Sequence, residues 1–256
     1  MHRLILVLIC FCCCGVHAKE KLSFAVSSFP PWTITEEEAI SGIDVDIVKT
    51  ISSKLNVKVE FYLCPWARCL SLLEQGEIDI AANLFKTPER EKYLSYFSEP
   101  YIKGTYRLFY LNKSAGIEIN RLDDVNGKTV GHITGVRHFH QFDTNRLIQK
   151  LSVSNRLQLI GMLSKQRIDM FIGQEDVIDY LLVHSPYKSQ IVKSQFRQFI
   201  SEPGYFAFSK KSKLLFLQAR FEQELLKLFE TGNIQKLAKP YQADSALKML
   251  INFKQP

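Results

Sequence analysis

The chain has 256 residues, 46% of them apolar and 23% charged, with six cysteines and a formal net charge of +7. This is ordinary globular composition, enough for one large domain or two small ones, and it excludes a disordered or low-complexity chain. The basic charge is spread along the sequence without a Lys/Arg block, which suits a solvated basic surface and argues against a nucleic-acid partner.

The N-terminus reads as a secretory leader over residues 1–18. A short basic start, MHR, precedes an apolar run from Leu4 to Val16, and Val16 and Ala18 occupy the small-residue positions of a signal-peptidase site. The run is too short to span a bilayer stably. A membrane anchor and a lipid-modified cysteine are the alternatives. The second is opposed by the residues that precede the candidates Cys10, Cys12, Cys13 and Cys14, namely Ile9, Phe11, Cys12 and Cys13, which are not the small residues expected there. Cleavage leaves two cysteines, Cys64 and Cys69, and in an oxidising compartment such a pair forms a disulfide. Their spacing does not match a C-x-x-C redox motif, and a metal site would need two further ligands. No later segment reaches the ~18 apolar residues of a membrane span.

The remaining elements follow in order. LSFAVSS alternates Leu22, Phe24 and Val26, the period of a strand. FPPW and TEEEAISG read as turn and loop, and Asp44 as the cap of a helix whose apolar stripe is Ile43, Ile47, Ile51 and Leu55. Asn56 suits a left-handed C-terminal cap. VKVEFYL is a second strand. CPWARCLSLLEQG is a helix, with Pro65 in its first turn and Gly76 at its end. IDIAAN and GTYRLFYLN are strands. After a long loop, KTVGHIT is a strand, Gly135 opens a helix, Ser154 caps another, and QRIDMFIG is a strand leaving through the polar QED. GYFAFSKKS adds a strand outside this second cycle, and LLFLQARFEQELLKLFETG is an amphipathic helix. Alternating strands and helices predict two α/β lobes with parallel sheets, and leave open whether the chain returns to the first lobe near residue 200.

Several stretches also fall in a familiar order: FPPWTI, SGIDVDIVKTISSKL, WARCLSLLEQGEIDIAANLFKTPEREKYLSYFSEPY, VNGKTVGHITG, LSKQRIDMFIGQEDV and FEQELLKLFETGNIQKLAKPY. Together they resemble the family 3 extracellular solute-binding proteins, the periplasmic receptors of polar amino-acid ABC importers. The run G-x-I-D, T-P-E-R, F-S-E-P-Y is the most specific part. The resemblance implies an α/β, two-lobed periplasmic-binding-protein fold (type II), each lobe a mostly parallel sheet flanked by helices, joined by a two-strand hinge. Lobe 1 would span 19–110, lobe 2 111–200, and 201–256 would return to lobe 1, with crossings near Tyr110 and Ser201. A monomer would capture a small polar solute by hinge closure and pass it to an inner-membrane ABC permease, without a cofactor or metal.

The resemblance also implies site residues. Arg90 would hold a carboxylate through paired charge-assisted bonds, against the alternative of a surface or lobe-bracing salt bridge. Asn83 and Phe85 lie in a loop one residue shorter than usual before Arg90. Gly135 would begin a helix aimed at the cleft, followed by Val136 and Arg137, the latter a second cation or a solvated residue. Gln174 falls where relatives place an ammonium-holding aspartate, and Glu175 and Asp176 stand next to it. A glutamine supplies no charge. Phe29 and Trp32 form an apolar or cation–π wall or pack in the core. Trp66 and Arg68, between the cysteines, divide in the same way between cleft contacts and core or solvated roles. Asp44 and Asp46 are accounted for by capping and the helix dipole. His132, His138 and His140 lack a closing ligand set for a metal. The runner-up is a periplasmic cyclohexadienyl dehydratase-like enzyme with Glu175 or Asp176 as general acid. A receptor sensor module is a third reading, opposed by the lack of a span or output domain before Pro256.

Overall fold

A computed structural model describes residues 21–36 and 39–250. The leader expected over residues 1–18 lies outside the described residues. In chain order the strands are β1 (Lys21–Val26), β2 (Ile34–Glu36), β3 (Ala39–Ser41), β4 (Lys58–Leu63), β5 (Ile80–Phe85), β6 (Leu94–Tyr96), β7 (Thr105–Asn112), β8 (Thr129–Ile133), β9 (Gln149–Val153), β10 (Met170–Gln174), β11 (Ile191–Ile200) and β12 (Gly204–Ser209). The helices are α1 (Ile43–Lys54), α2 (Trp66–Gln75), α3 (Pro88–Glu91), α4 (His140–Thr144), α5 (Arg156–Ser164), α6 (Glu175–Val183), α7 (Gln218–Glu230), α8 (Asn233–Ala238) and α9 (Asp244–Met249).

Two five-stranded sheets result, ordered β4-β1-β5-β12-β6 and β11-β7-β10-β8-β9, with β2–β3 a separate hairpin. In each sheet four strands run one way. The exceptions are β12 and β7, each antiparallel to both its neighbours. These are the strands the chain enters on passing between lobes, so the reversal of direction marks the crossings. The passage to the second sheet falls between Tyr96 and Thr105, ahead of the expected Tyr110, because β7 pairs with β11 from Thr105 onward. The return falls between Ile200 and Gly204.

Local chemistry explains most elements. Leu22, Phe24 and Val26 are buried on one face of β1, and Ile43, Ile47 and Ile51 are buried along α1. Asn56 takes the left-handed conformation just past α1, and Gly76 does so at the end of α2. Pro65 is the N-cap of α2, and Cys64, just before it, is bonded to Cys69 with Cα atoms 5.6 Å apart. Four expectations need correction. Asp44 does not cap α1: Gly42 is the N-cap, and the Asp44 side chain turns inward to Tyr101. Asn155 rather than Ser154 caps α5, its side chain accepting from the Gln158 N–H at 2.8 Å. Gly135 opens no helix: it sits in a turn at φ +77°, and α4 begins only at His140. The acidic TEEEAISG segment carries the β2–β3 hairpin instead of a plain loop.

Each lobe has its own core. In the first, Phe97, Phe206, Phe208 and Phe221 pack ring on ring. In the second, Tyr110 stacks on Phe171 at 5.0 Å, and Phe109 meets Phe142 on the other side. Each fully buried ring contributes about 1.5–3 kcal/mol. The crossings are pinched together at Gly104, where φ is +149° and a Cβ would lie 2.2 Å from the Ile200 carbonyl oxygen. The C-terminal segment straps this point: the Lys103 N–H donates to the Met249 carbonyl at 2.9 Å, and Ser245 on α9 donates to Asp179 on α6.

Candidate functional site

A cleft of about 450 Å³ lies between the lobes. Its first-lobe wall is built by three segments. The turn after β1 is closed by the Phe29 N–H donating to the Thr33 carbonyl at 2.8 Å, and it carries Phe29 and Trp32 around a cis Pro30–Pro31 bond. The first turn of α2, anchored by the disulfide, presents Trp66. The end of β5 and the short α3 supply Asn83, Phe85 and Arg90. Thr87 caps α3 by accepting from the Arg90 N–H at 3.3 Å, and the Arg90 guanidinium donates to the Phe85 carbonyl at 3.1 Å. Its recorded partners, this carbonyl and the Tyr96 hydroxyl, are neutral, and among the described residues Arg90 makes no ion pair.

Val136 and Arg156 line the cleft from the second lobe. Arg156 is the first residue of α5, its guanidinium 5.9 Å from the centre of the Phe29 ring. Burial pulls the pKa of Arg156 down, with Asp176 opposing the shift. It has no ion pair among the described residues. Behind it lies a buried polar layer. Asp176, in the first turn of α6, accepts from the Trp32 indole N–H at 2.7 Å, so one hydrogen bond joins the two lobes across the cleft. A bond of this charge-assisted kind contributes about 1.5–3 kcal/mol. Asp176 also accepts from Thr105 and Gln174, both at 3.2 Å. Burial raises its pKa, and the Trp32 and Gln174 bonds pull the other way.

Gln174 bridges unlike neighbours. Its amide oxygen accepts from Arg107 at 2.7 Å while its amide nitrogen donates to Asp176. An aspartate here would satisfy Arg107 but would face Asp176 as a like charge. Arg107 on β7 is buried, and its Nε has no hydrogen-bond partner. His138 is also buried, with both ring nitrogens unpartnered. Its pKa is pushed down to about 3, first by burial and then by Arg107, His132 and Arg156. The other cleft carboxyl, Asp44, accepts from the Tyr101 hydroxyl at 2.8 Å, and burial pushes its pKa up to about 8.

The residues singled out from sequence thus separate. Phe29, Trp32, Trp66, Asn83, Arg90 and Val136 converge on the cleft. Asp176 and Gln174 stand behind it. Glu175 turns away, its two carboxylate oxygens taken by Lys193 at 3.0 Å and Arg197 at 2.6 Å. Arg68 is exposed on α2, and Gly135 and Arg137 are exposed in the loop before α4; none of the three lines the cleft. Among the described residues no group of three His, Cys, Asp or Glu side chains is placed to hold a metal, and no helix is long and apolar enough to cross a membrane. Arg107 and Arg156 escaped notice. Arg107 stood out only as a cation inside an apolar strand. Arg156 stood out as a cation at a helix start, where the dipole favours anions.

A model of the bacterial extracellular solute-binding proteins, family 3, matches residues 22–244, and the chain belongs to that family. The L-cystine-binding protein TcyA of Bacillus subtilis is 25% identical over 86% of this chain and 80% of its own length. A probable amino-acid ABC transporter-binding protein of Haemophilus influenzae is 24% identical over 82% of this chain and 80% of its own length. An amino acid ABC transporter substrate-binding protein, AbpA, from Streptococcus pneumoniae, solved with L-arginine, has the same fold: TM-score 0.68 at 24% identity, covering 88% of this chain and 96% of that one.

Proposed function

We propose that this chain captures a small carboxylate-bearing solute, an amino acid or a related acid, in the cleft between its lobes and delivers it to an ABC importer. The observation that carries this is the cleft itself. Aromatic walls from the first lobe face a guanidinium from each lobe, Arg90 and Arg156, and neither has an ion pair among the described residues. Such walls hold an apolar skeleton, and a guanidinium takes a carboxylate with two parallel bonds. Contacts from both lobes to one ligand favour the closed arrangement, which a permease would recognise. The protein works as an exported, periplasmic monomer after leader cleavage, the first lobe carrying β1–β6 and β12 and the second β7–β11. It binds without turnover: Glu175, one candidate general acid, is held by two cations, and Asp176 already accepts three hydrogen bonds.

Both of the chain's two tryptophans, Trp32 and Trp66, line the cleft, so intrinsic fluorescence reports its occupancy. A screen of amino acids and carboxylates should yield a hit that changes tryptophan emission and raises the melting temperature. Arg90→Ala should weaken that hit at least tenfold. Unchanged affinity in the variant would remove Arg90 from the site, and appearance of product from prephenate or arogenate would overturn binding without turnover.

A further inference from the structure

Building on the reading of this cleft as the ligand site, we propose that the ligand is a small dicarboxylate without an ammonium group, held at one end by Arg90 and at the other by Arg156. The argument is an account of which charges are already spoken for. Among the described residues three ionisable groups line the cleft: Arg90, Arg156 and Asp44. Asp44 is 1% exposed and accepts from Tyr101, and with its pKa pushed up to about 8 it carries a proton at neutral pH. Among the described residues the lining therefore carries two cations and, at neutral pH, no anion.

The carboxylates and the amide oxygen behind the cleft are already engaged. Asp176 accepts three hydrogen bonds, from Trp32, Gln174 and Thr105. The Gln174 oxygen is taken by Arg107, and both Glu175 oxygens are taken by Lys193 and Arg197. One buried donor, in contrast, is left over: the Arg107 Nε–H has no partner. The His138 ring, neutral with its pKa pushed down to about 3, offers one donor and one acceptor, both unpartnered, and Arg107 and Arg156 press on it as nearby cations. A partly desolvated guanidinium without a counter-ion favours an incoming anion, because the cost of removing it from water has already been met in folding. Two such groups on opposite lobes, with aromatic walls between them, fit a molecule anionic at both ends and apolar in the middle.

The test uses matched pairs in fluorescence titrations at fixed salt: succinate against L-aspartate, glutarate against L-glutamate, and phthalate as an aromatic-spaced diacid, with L-arginine, propionate and butyrate alongside. The expected result is at least tenfold tighter binding of a diacid than of its α-amino counterpart. Arg156→Gln should weaken the diacid at least tenfold while changing a monocarboxylate of the same length less than threefold; Arg156→Lys should restore part of the loss. Arg90→Gln should weaken both. Unchanged melting temperatures of the free variants would separate lost contacts from lost fold. An α-amino acid binding more tightly than its diacid would overturn the inference and leave the cleft reading standing. Equal loss for mono- and diacids in Arg156→Gln would also overturn it. If no compound in the panel changes the emission or the melting temperature, the cleft reading falls together with the inference.

Discussion

Stability should fall as pH rises from about 6.5 to 8, and the cause should be the buried Asp44. Its folded pKa is about 8 against an ordinary value of 3.8, so between those limits the folded protein keeps a proton that the unfolded chain releases. This contribution is full below about 3.8 and is lost as pH rises through about 8, at about 1.4 kcal/mol per pH unit. His138 works in the opposite sense. Its folded pKa is about 3 against 6.5, so its contribution is full above about 6.5 and is lost as pH falls toward about 3, at the same slope. The two slopes cancel from about 4 to 6.5. Above that Asp44 acts without this counterweight, giving a loss of about 2 kcal/mol by pH 8. Asp176, whose pKa is also raised, acts in the same direction as Asp44. The assay is urea denaturation followed by circular dichroism from pH 4.5 to 8.5 at constant ionic strength. Asp44→Asn keeps an acceptor for Tyr101 and removes the titration, so it should lose the decline above pH 6.5 that Asp44 causes. His138→Phe should extend the decline downward, so that stability falls steadily from about pH 4. Stability curves for the two variants that run parallel to that of the parent protein would refute the reasoning.

Two further predictions concern the frame of the cleft. Reducing the Cys64–Cys69 bond opens a small loop and should cost about 2 kcal/mol, seen as a lower urea midpoint in the presence of a thiol reductant; an unmoved midpoint would mean that the bridge constrains little in the unfolded chain. Gly104→Ala places a Cβ 2.2 Å from the Ile200 oxygen at a backbone angle alanine rarely adopts, so it should lower stability by more than about 2 kcal/mol, read from the melting temperature. A thermal curve matching the parent protein would show that the crossing strands separate at little cost.

The elements with strong local signals were legible. Leu22, Phe24 and Val26 marked β1 by period, and Asn56 and Gly76 ended their helices where left-handed conformations were needed. The second lobe was harder. β9 and β11 have mixed burial and weak alternation, and their pairing comes from the neighbours they meet in the sheet. Asp44 illustrates a deeper limit. A carboxylate at a helix start predicts a cap, yet here Tyr101, distant in sequence, draws the side chain into the interior. Ser154 and Asn155 are adjacent cap-forming residues, and the structure uses Asn155. For the site, Arg90 came with its motif and the aromatics came with the turn after β1. Arg156 had no motif, only an uneasy place at a helix start.

The sign of the cleft is a property of pairing rather than of composition. Gln174, Glu175 and Asp176 are consecutive, and nothing in their order says which is free to meet a ligand. The fold separates them by what each faces: Arg107 across β7, the cations of β11, and the Trp32 indole of the opposite lobe. Once those pairs form, the acidic residues here no longer act as an acidic surface, and the basic residues left over set the field in the cleft. A substitution that frees one acid should therefore change the cleft more than a substitution that adds one at its rim. Removing Lys193 and Arg197 together would release Glu175 and also take Lys193 from Asp179. The same change on the exposed Arg68 would leave the balance of charge around Arg156 as it is.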